Sequence, residues 1–442
     1  MASVVGAAID EVAALVAEAE RRYVERNPES RRLHEERSRS MPGGNTRSVI
    51  HVEPFPLTIV RGEGALLTDA DGHVYVDLLG EYTAGLLGHS HPVVLQAIRD
   101  ALDEGISFGA PNRHEGELAA AVCARFPSVE LVRFCNSGTE ANLLALSLAR
   151  AATGKDAVMV FAGGYHGAIF FFETAAGSPM NAPFPFLVAE YNDADAAVEL
   201  VARHAHDLAA VLVEPVQGSA GAIPSEPGFL EALREATEAH EVLLVFDEVM
   251  TSRLSTGGMQ QAVGIAPDLT TFGKYLGGGL AFGAFGGRAD LMSRFDPARR
   301  DALPHAGTFN NAVLTMAAGA AGLEVYGENE VTRLNELGDR LRDRLNAFAA
   351  GRAAPFCATG YGSLVGLHFT RGPVRRRADV QKRPGLEALL HVSSLERGYS
   401  YARRGFVALS LPLTERDVDG FAACVEDVLA TVLETASPSL QA

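Results

Sequence analysis

Cysteine is scarce in this chain. There are four in 442 residues, at Cys123, Cys135, Cys357 and Cys424, and no two form a CxxC pair. That scatter excludes a disulfide framework and a cysteine-built metal centre, and no metal site is expected. Positive charge is also short. Lys and Arg total 38 against 55 Asp and Glu, a formal net charge of −17. Such a balance, with no basic helix-turn-helix region, argues against nucleic acid or an anionic membrane as partner. It leaves room for an anionic small substrate, because a few local arginines can override the global field. No uncharged apolar run is long enough to span a bilayer. The segment Met1–Gly6 has no basic stretch ahead of an apolar core. A reducing cytoplasm is the expected location.

What is present is a globular composition, 47% apolar and 21% charged. The length exceeds one simple core, so a large domain with an appended smaller one is expected. Residues from about 7 to 40 read as mostly helical, with an apolar stripe of Ile9, Val12, Ala13, Val16 and Ala19 and an interruption at Asn27-Pro28. Residues 58–73 read as strand segments closed by an Asp-Gly turn. From about 90 to 320 helical stretches (140–153, 228–240) alternate with short apolar strands (131–135, 157–161, 210–214, 243–247). That alternation predicts an α/β fold, a mainly parallel sheet with helices on both faces. Beyond 320 the pattern becomes α+β, with a long helix over 330–350, strands over 364–369 and 406–410, and a last helix from Thr414. The basic stretch Arg371–Pro384 reads as a solvated loop. The expected division is an N-terminal segment (1–60) packing with the small domain, a large domain (61–320) and a C-terminal small domain (321–442).

The strand Leu243–Asp247 ends in an acid, and Lys274 follows a little downstream, ahead of Gly277-Gly278-Gly279. An Asp at the carboxyl end of a buried strand faces the ligand crevice of an open α/β sheet. Glycines after a lone Lys let a bulky group approach the backbone. A buried Asp that pairs with a pyridinium nitrogen and a Lys that forms a Schiff base are the marks of a pyridoxal 5′-phosphate site. Asp247 would keep the ring nitrogen protonated. Lys274 would hold the cofactor and then act as general base, which requires a depressed pKa.

Other motifs fall at strand ends. Asn136-Ser137-Gly138-Thr139 precedes a helix, and Ser137, Gly138 and Thr139 combine hydroxyls with free N–H groups in a phosphate cradle. Tyr165, after Gly163-Gly164, is placed to stack on a flat ring; the alternative is a surface aromatic in a turn. His166 reads equally as a polar turn residue. Gln217 suits the cofactor's phenolic oxygen, while Glu214 reads equally as a structural acid. Arg47, after Pro42-Gly43-Gly44, can hold a carboxylate through two parallel hydrogen bonds. Arg404 is a second candidate, with Arg403 as the alternative. The run Phe170-Phe171-Phe172 reads as core packing before a side-chain pocket.

Taken together, Gly85–Pro92, Asn136–Ala141, Phe246–Val249 and Gly273-Lys274 resemble the class III aminotransferases of PLP fold type I, over about residues 35 to 430. Ser40–Val49, Glu81–Gly85, Glu248–Leu254, Phe282–Asp290 and Arg404–Thr414 are similar to the branch acting on β-amino acids such as β-phenylalanine. The related glutamate-1-semialdehyde aminomutases usually carry Val-Asn-Ser-Pro-Val-Arg after Pro-Gly-Gly, where this chain has Asn45-Thr46-Arg47. The resemblance implies a seven-stranded sheet and a homodimer with shared active sites. It implies that Val249 joins the cofactor-binding residues and that Thr308 reaches the phosphate of the neighbouring subunit's cofactor. It further implies that Arg47 binds the carboxylate of the amino donor and Tyr82 lines the pocket. Arg404 then takes the carboxylate of a keto-acid acceptor, 2-oxoglutarate or pyruvate. An aminomutase-like isomerase is the alternative enzyme. A PLP-fold binding protein without turnover is the alternative outside enzymes, but it usually loses the Lys that this chain keeps.

Overall fold

The computed structural model describes residues 2–435, with side chains from Val12 onward; Ile9 of the expected stripe falls outside the described side chains. Its centre is a seven-stranded sheet. Across the sheet the strands run 131–135, 283–287, 269–273, 243–247, 208–213, 157–161 and 186–189. Gly283–Gly287 is antiparallel to both its neighbours, and the other pairings are parallel. Period-two alternation explains its two-sided burial. Met159, Phe161, Val211, Val213, Leu244 and Phe246 pack on one face. Val158, Val160, Ala210, Leu212 and Val245 pack on the other, against the helix Gly138–Thr153. Strands buried on both faces read as continuous apolar runs. The strand expected over 210–214 begins two residues earlier and stops at Val213, which leaves Glu214 in the crevice rather than in the ladder.

The helices Ala2–Arg26 and Pro28–Arg37 meet at Asn27. Ala13 faces solvent, contrary to the expected stripe, and the contact is carried by Leu15, Val16, Ala19 and Tyr23. Two further sheets flank the central one. Ile59–Glu63, Leu66–Asp69 and Val74–Asp77 form a meander that Tyr399–Ser400 joins in parallel. Cys357–Tyr361, Leu364–His368 and Phe406–Ala408 form an antiparallel trio. The two are stitched at Leu78, whose N–H donates to Ser400 O and whose carbonyl accepts from Ala408 N, each at 2.8 Å. That stitch brings residues 78–83 against residues 400–408. The last helix, Glu415–Thr435, starts as a capping box. Thr414 N donates to Asp417 Oδ2 at 2.9 Å, and Thr414 Oγ1 accepts from Asp417 N.

The stretch 371–384 is not wholly a solvated loop. Arg377 turns inward, its Nη2 3.1 Å from Glu173 Oε1. A Cβ on Gly163 would come within 2.8 Å of Arg377 Cβ. With its φ of +87°, Gly163 is where this loop can close over the sheet edge. Phe170 and Phe172 are buried core residues, as expected, while Phe171 is half-buried. Among the described residues no helix is long and apolar enough to cross a membrane.

Candidate active site

Adjacent parallel strands deliver the two leading candidates to one edge. Asp247 closes its strand opposite Thr271, and Lys274 follows Gly273, the end of the neighbouring strand. Gly273 and Cys135 both pair with Gly283, so the turn that follows Cys135 opens on the same edge. Ligands of open α/β sheets sit at this carboxyl edge. Ser137 caps the helix there, its Oγ accepting from Glu140 N at 3.2 Å. The remaining N–H groups of that first turn are free for an anion. A Cβ on Gly138 would lie 2.9 Å from Val249 Cγ2, so only glycine lets the helix start lie so close to Val249.

The Asp247 carboxylate is buried and held at three points. Oδ2 accepts from His166 Nδ1 at 2.8 Å and from Asn142 Nδ2 at 2.9 Å, and Oδ1 accepts from Val249 N at 3.0 Å. Asn142 is in turn fixed by Thr271 Oγ1, which donates to its Oδ1 at 2.7 Å. Burial alone pulls the His166 pKa down, but the hydrogen bond and charge of Asp247 outweigh it and raise the value. Sequence reasoning left His166 open and gave Asn142 no role. The signal for Asn142 was its place one helical turn beyond Gly138, on the same face.

Lys274 adopts a left-handed φ of 59°, a strained setting for a non-glycine residue. Burial, helped by the Arg47 charge, lowers its pKa to about 8, against the opposing pull of Glu81 and Asp247. Gln217 is buried, with Nε2 donating to Ala162 O at 3.1 Å and Oε1 left without a hydrogen-bond partner. Tyr165 sits on the short hairpin formed with Phe171–Phe172, 44% exposed, edge-on to Phe171.

Glu214 accepts from Tyr165 N at 3.0 Å and Gly218 N at 3.2 Å, and burial raises its pKa to about 7. An acid raised in this way favours folding below its unfolded pKa, and that contribution is lost as pH rises through about 7. Glu214→Gln cannot titrate and loses one acceptor, which adds a constant offset. Its melting temperature relative to wild type should therefore climb between about pH 5 and about pH 8 in the cofactor-free protein. A gap that stays flat would mean Glu214 titrates like an exposed acid.

At the mouth, two guanidiniums meet one ring. Arg47 Cζ and Arg404 Cζ each lie 5.5 Å from the centroid of Tyr82, within cation–π range. Tyr82 also stacks on Phe406 and donates to Val49 O at 3.2 Å. Arg404 Nη1 donates to Ser219 Oγ at 3.1 Å, whereas Arg403 Nη1 turns away to Glu53 O at 3.0 Å. Of the two arginines, Arg404 is the one that faces the crevice. It is open to solvent on one side, yet burial on the other lowers its pKa. Arg47 Nη1 pairs with Glu81, a residue to which sequence reasoning gave no role. Thr308 is not brought to this cluster. It lies exposed on a turn that Asn310 ties to Asn136 at 3.1 Å.

The donor set suits a phosphorylated aromatic aldehyde. It offers an amine with a lowered pKa, a buried carboxylate with fixed partners, a helix N-terminus with hydroxyls, and an unspent acceptor on Gln217 for a phenolic group.

Known proteins agree. The family described as aminotransferase class-III matches residues 49–386. The chain is 51% identical over 421 residues to the β-phenylalanine transaminase of Variovorax paradoxus, covering 95% of this chain and 96% of that one. A crystal structure of a β-phenylalanine aminotransferase from the same organism superposes with a TM-score of 0.93 at 49% identity, over 95% of this chain and 98% of that one. The glutamate-1-semialdehyde 2,1-aminomutase of Sorangium cellulosum is more distant, at 38% over 426 residues, 92% of this chain and 97% of that one. The chain belongs to the class III aminotransferases, enzymes of PLP fold type I that use pyridoxal 5′-phosphate to exchange an amino group between small-molecule donors and keto-acid acceptors.

Proposed function

We propose that this enzyme takes its amino group from a β-amino acid with an aromatic side chain, such as β-phenylalanine, and passes it to 2-oxoglutarate or pyruvate. The observation that carries the reading is the pair of guanidiniums at Tyr82, both within electrostatic reach of Lys274. One serves the donor carboxylate and one the acceptor. Arg47 is the donor partner, Tyr82 lines the apolar side of the pocket, and Arg404 holds the keto acid. The relative from V. paradoxus supports the choice of donor.

In this reading Lys274 would hold the cofactor covalently and, once its amine is freed by the donor's, would move the proton at the substrate carbon. Asp247 holds a proton at the ring nitrogen and is itself oriented by His166 and Asn142. Ser137, Gly138 and Thr139 would bind the phosphate, Val249 and Tyr165 would pack on the ring, and Gln217 would meet the phenolic oxygen, with Glu214 hydrogen-bonded to Tyr165 N. When bound, the cofactor supplies an electron sink; the chain supplies position, charge and the base.

The reading includes a homodimer. Ile106, Phe108, Leu280 and Phe309 are large apolar side chains left exposed, and Phe309 directly follows the exposed Thr308. Such a surface suits a second copy of the chain, with Thr308 reaching the phosphate held by the other subunit. A sedimentation measurement that finds monomer would sink this part. The four free thiols suit a reducing cytoplasm.

Arg47→Ala tests the donor. Loss of a carboxylate partner should cost about 2–5 kcal/mol, roughly thirtyfold or more in kcat/KM for β-phenylalanine. 1-Phenylethylamine, which has no carboxylate, should lose far less. Lys at this position should rescue only in part, lacking the paired geometry. Equal losses for both donors would make Arg47 structural. Turnover without an added keto acid would favour an isomerase instead.

A further inference from the structure

Arg47 is not a free guanidinium waiting for a carboxylate. Its Nη1 already pairs with Glu81 Oε1. Both side chains are half exposed, at 43% and 55%. An ion pair that open contributes little to folding, so stability is a poor reason for it. Its placement is nevertheless costly. Glu81, Tyr82 and Thr83 are three consecutive non-glycine residues with positive φ, at 46°, 52° and 80°. Each such residue is strained and persists only where its surroundings over-determine it. Here they do. Asp77 Oδ1 accepts from Leu79 N at 2.8 Å and Gly80 N at 3.2 Å, Tyr82 N donates to Leu79 O at 3.1 Å, and Thr83 is fully buried. The backbone therefore aims one carboxylate at the guanidinium that a donor carboxylate needs.

We infer that Glu81 is a built-in competitor for Arg47, which a donor carboxylate must displace, and that it sets the affinity for carboxylate-bearing donors. The inference rests on the reading of Arg47 as the donor's carboxylate partner. Two consequences follow from charge balance. A donor with a carboxylate exchanges one ion pair for another, so its net gain from Arg47 is less than a free guanidinium would give. A donor without one leaves the Arg47–Glu81 pair closed, and Arg47 presents it with no uncompensated charge. Glu81 also sits within electrostatic reach of Lys274, where it offsets the charge of Arg47. Glu81 thus narrows the gap between amino-acid donors and simple amines.

The test uses the holoenzyme and two probes that carry no amine, 3-phenylpropanoate and its neutral amide, titrated by calorimetry. Wild type is compared with Glu81→Gln, Glu81→Asp and Arg47→Ala. Glu81→Gln should bind 3-phenylpropanoate roughly fivefold more tightly, the scale of a half-exposed ion pair given up. Binding of the amide should not change. Glu81→Asp, which keeps the charge on a shorter arm, should fall between. KM for β-phenylalanine should fall in Glu81→Gln, while KM for 1-phenylethylamine should not. Weaker or unchanged binding of 3-phenylpropanoate in Glu81→Gln overturns the competitor role and makes Glu81 a support that orients Arg47. If Arg47→Ala still loses the carboxylate in that case, the reading of Arg47 stands alone. If Arg47→Ala binds 3-phenylpropanoate as wild type does, both fall together.

Discussion

Lys274→Ala should lose turnover on the order of 10⁵-fold or more, the scale set by removal of a nucleophile or its base. Among the described residues the other two lysines are tied elsewhere, Lys155 to Glu241 O and Lys382 to Glu173. The protein should still fold. The removed group is one that burial disfavours as a cation, since its pKa is lowered to about 8. Two measurements check the role independently of rate. Borohydride treatment of wild-type holoenzyme should fix the cofactor to the peptide containing Lys274, and no such adduct should form in the variant. In the cofactor-free wild type, acylation of Lys274 should rise with pH through a midpoint of about 8, well below the range of an ordinary lysine. An adduct that persists in the variant would place the covalent bond elsewhere.

Asp247→Asn should come next, with a loss of some hundred- to ten-thousandfold in kcat, in the range for removing a proton-holding group. Two effects combine. A neutral amide cannot keep the ring nitrogen protonated. The amide also turns an N–H toward donors, because the native carboxylate accepts from His166, Asn142 and Val249 and donates nothing. One of those bonds is lost, at about 1–3 kcal/mol for a buried group left unsatisfied. The variant should therefore bind cofactor more weakly and melt at a lower temperature. Activity near that of wild type would mean that another acid serves the ring.

The fold was legible because burial leaves a simple trace. The strands 131–135, 157–161 and 243–247 were readable to the residue, being short, mostly apolar runs bounded by polar residues or glycine-bearing turns. Gly283–Gly287 was harder. Three of its five residues are glycine, packed where a side chain would strike the neighbouring strands, so it carries no apolar pattern. The candidate site was legible where chemistry is rare, as at Lys274, Asp247 and the Ser137-Gly138-Thr139 turn. It was not legible where the message lies in distance. Asn142 and His166 are ordinary polar residues until folding sets both against Asp247. Glu81 is an acid on a short helical turn until the left-handed run 81–83 aims it at Arg47. The inward turn of Arg377 was hidden for the same reason, since nothing local marks one arginine among several.

Arg253 offers a last consequence. It leaves the loop after Asp247 and is fully buried, with no acidic partner among the described residues. Its Nε donates to Ser363 Oγ, and its Nη2 reaches Leu409 O, 156 residues away in the chain. Leu409 lies just beyond the strand that follows Arg404. One side chain thus ties the end of the site that carries Asp247 to the end that carries Arg404. Along the polypeptide, small errors of position would accumulate over many turns and loops. Through Arg253 the same two points are gauged by a single planar group. The spacing between Asp247 and Arg404 is in that sense a measured length, and its ruler is a cation that bonds to neither one.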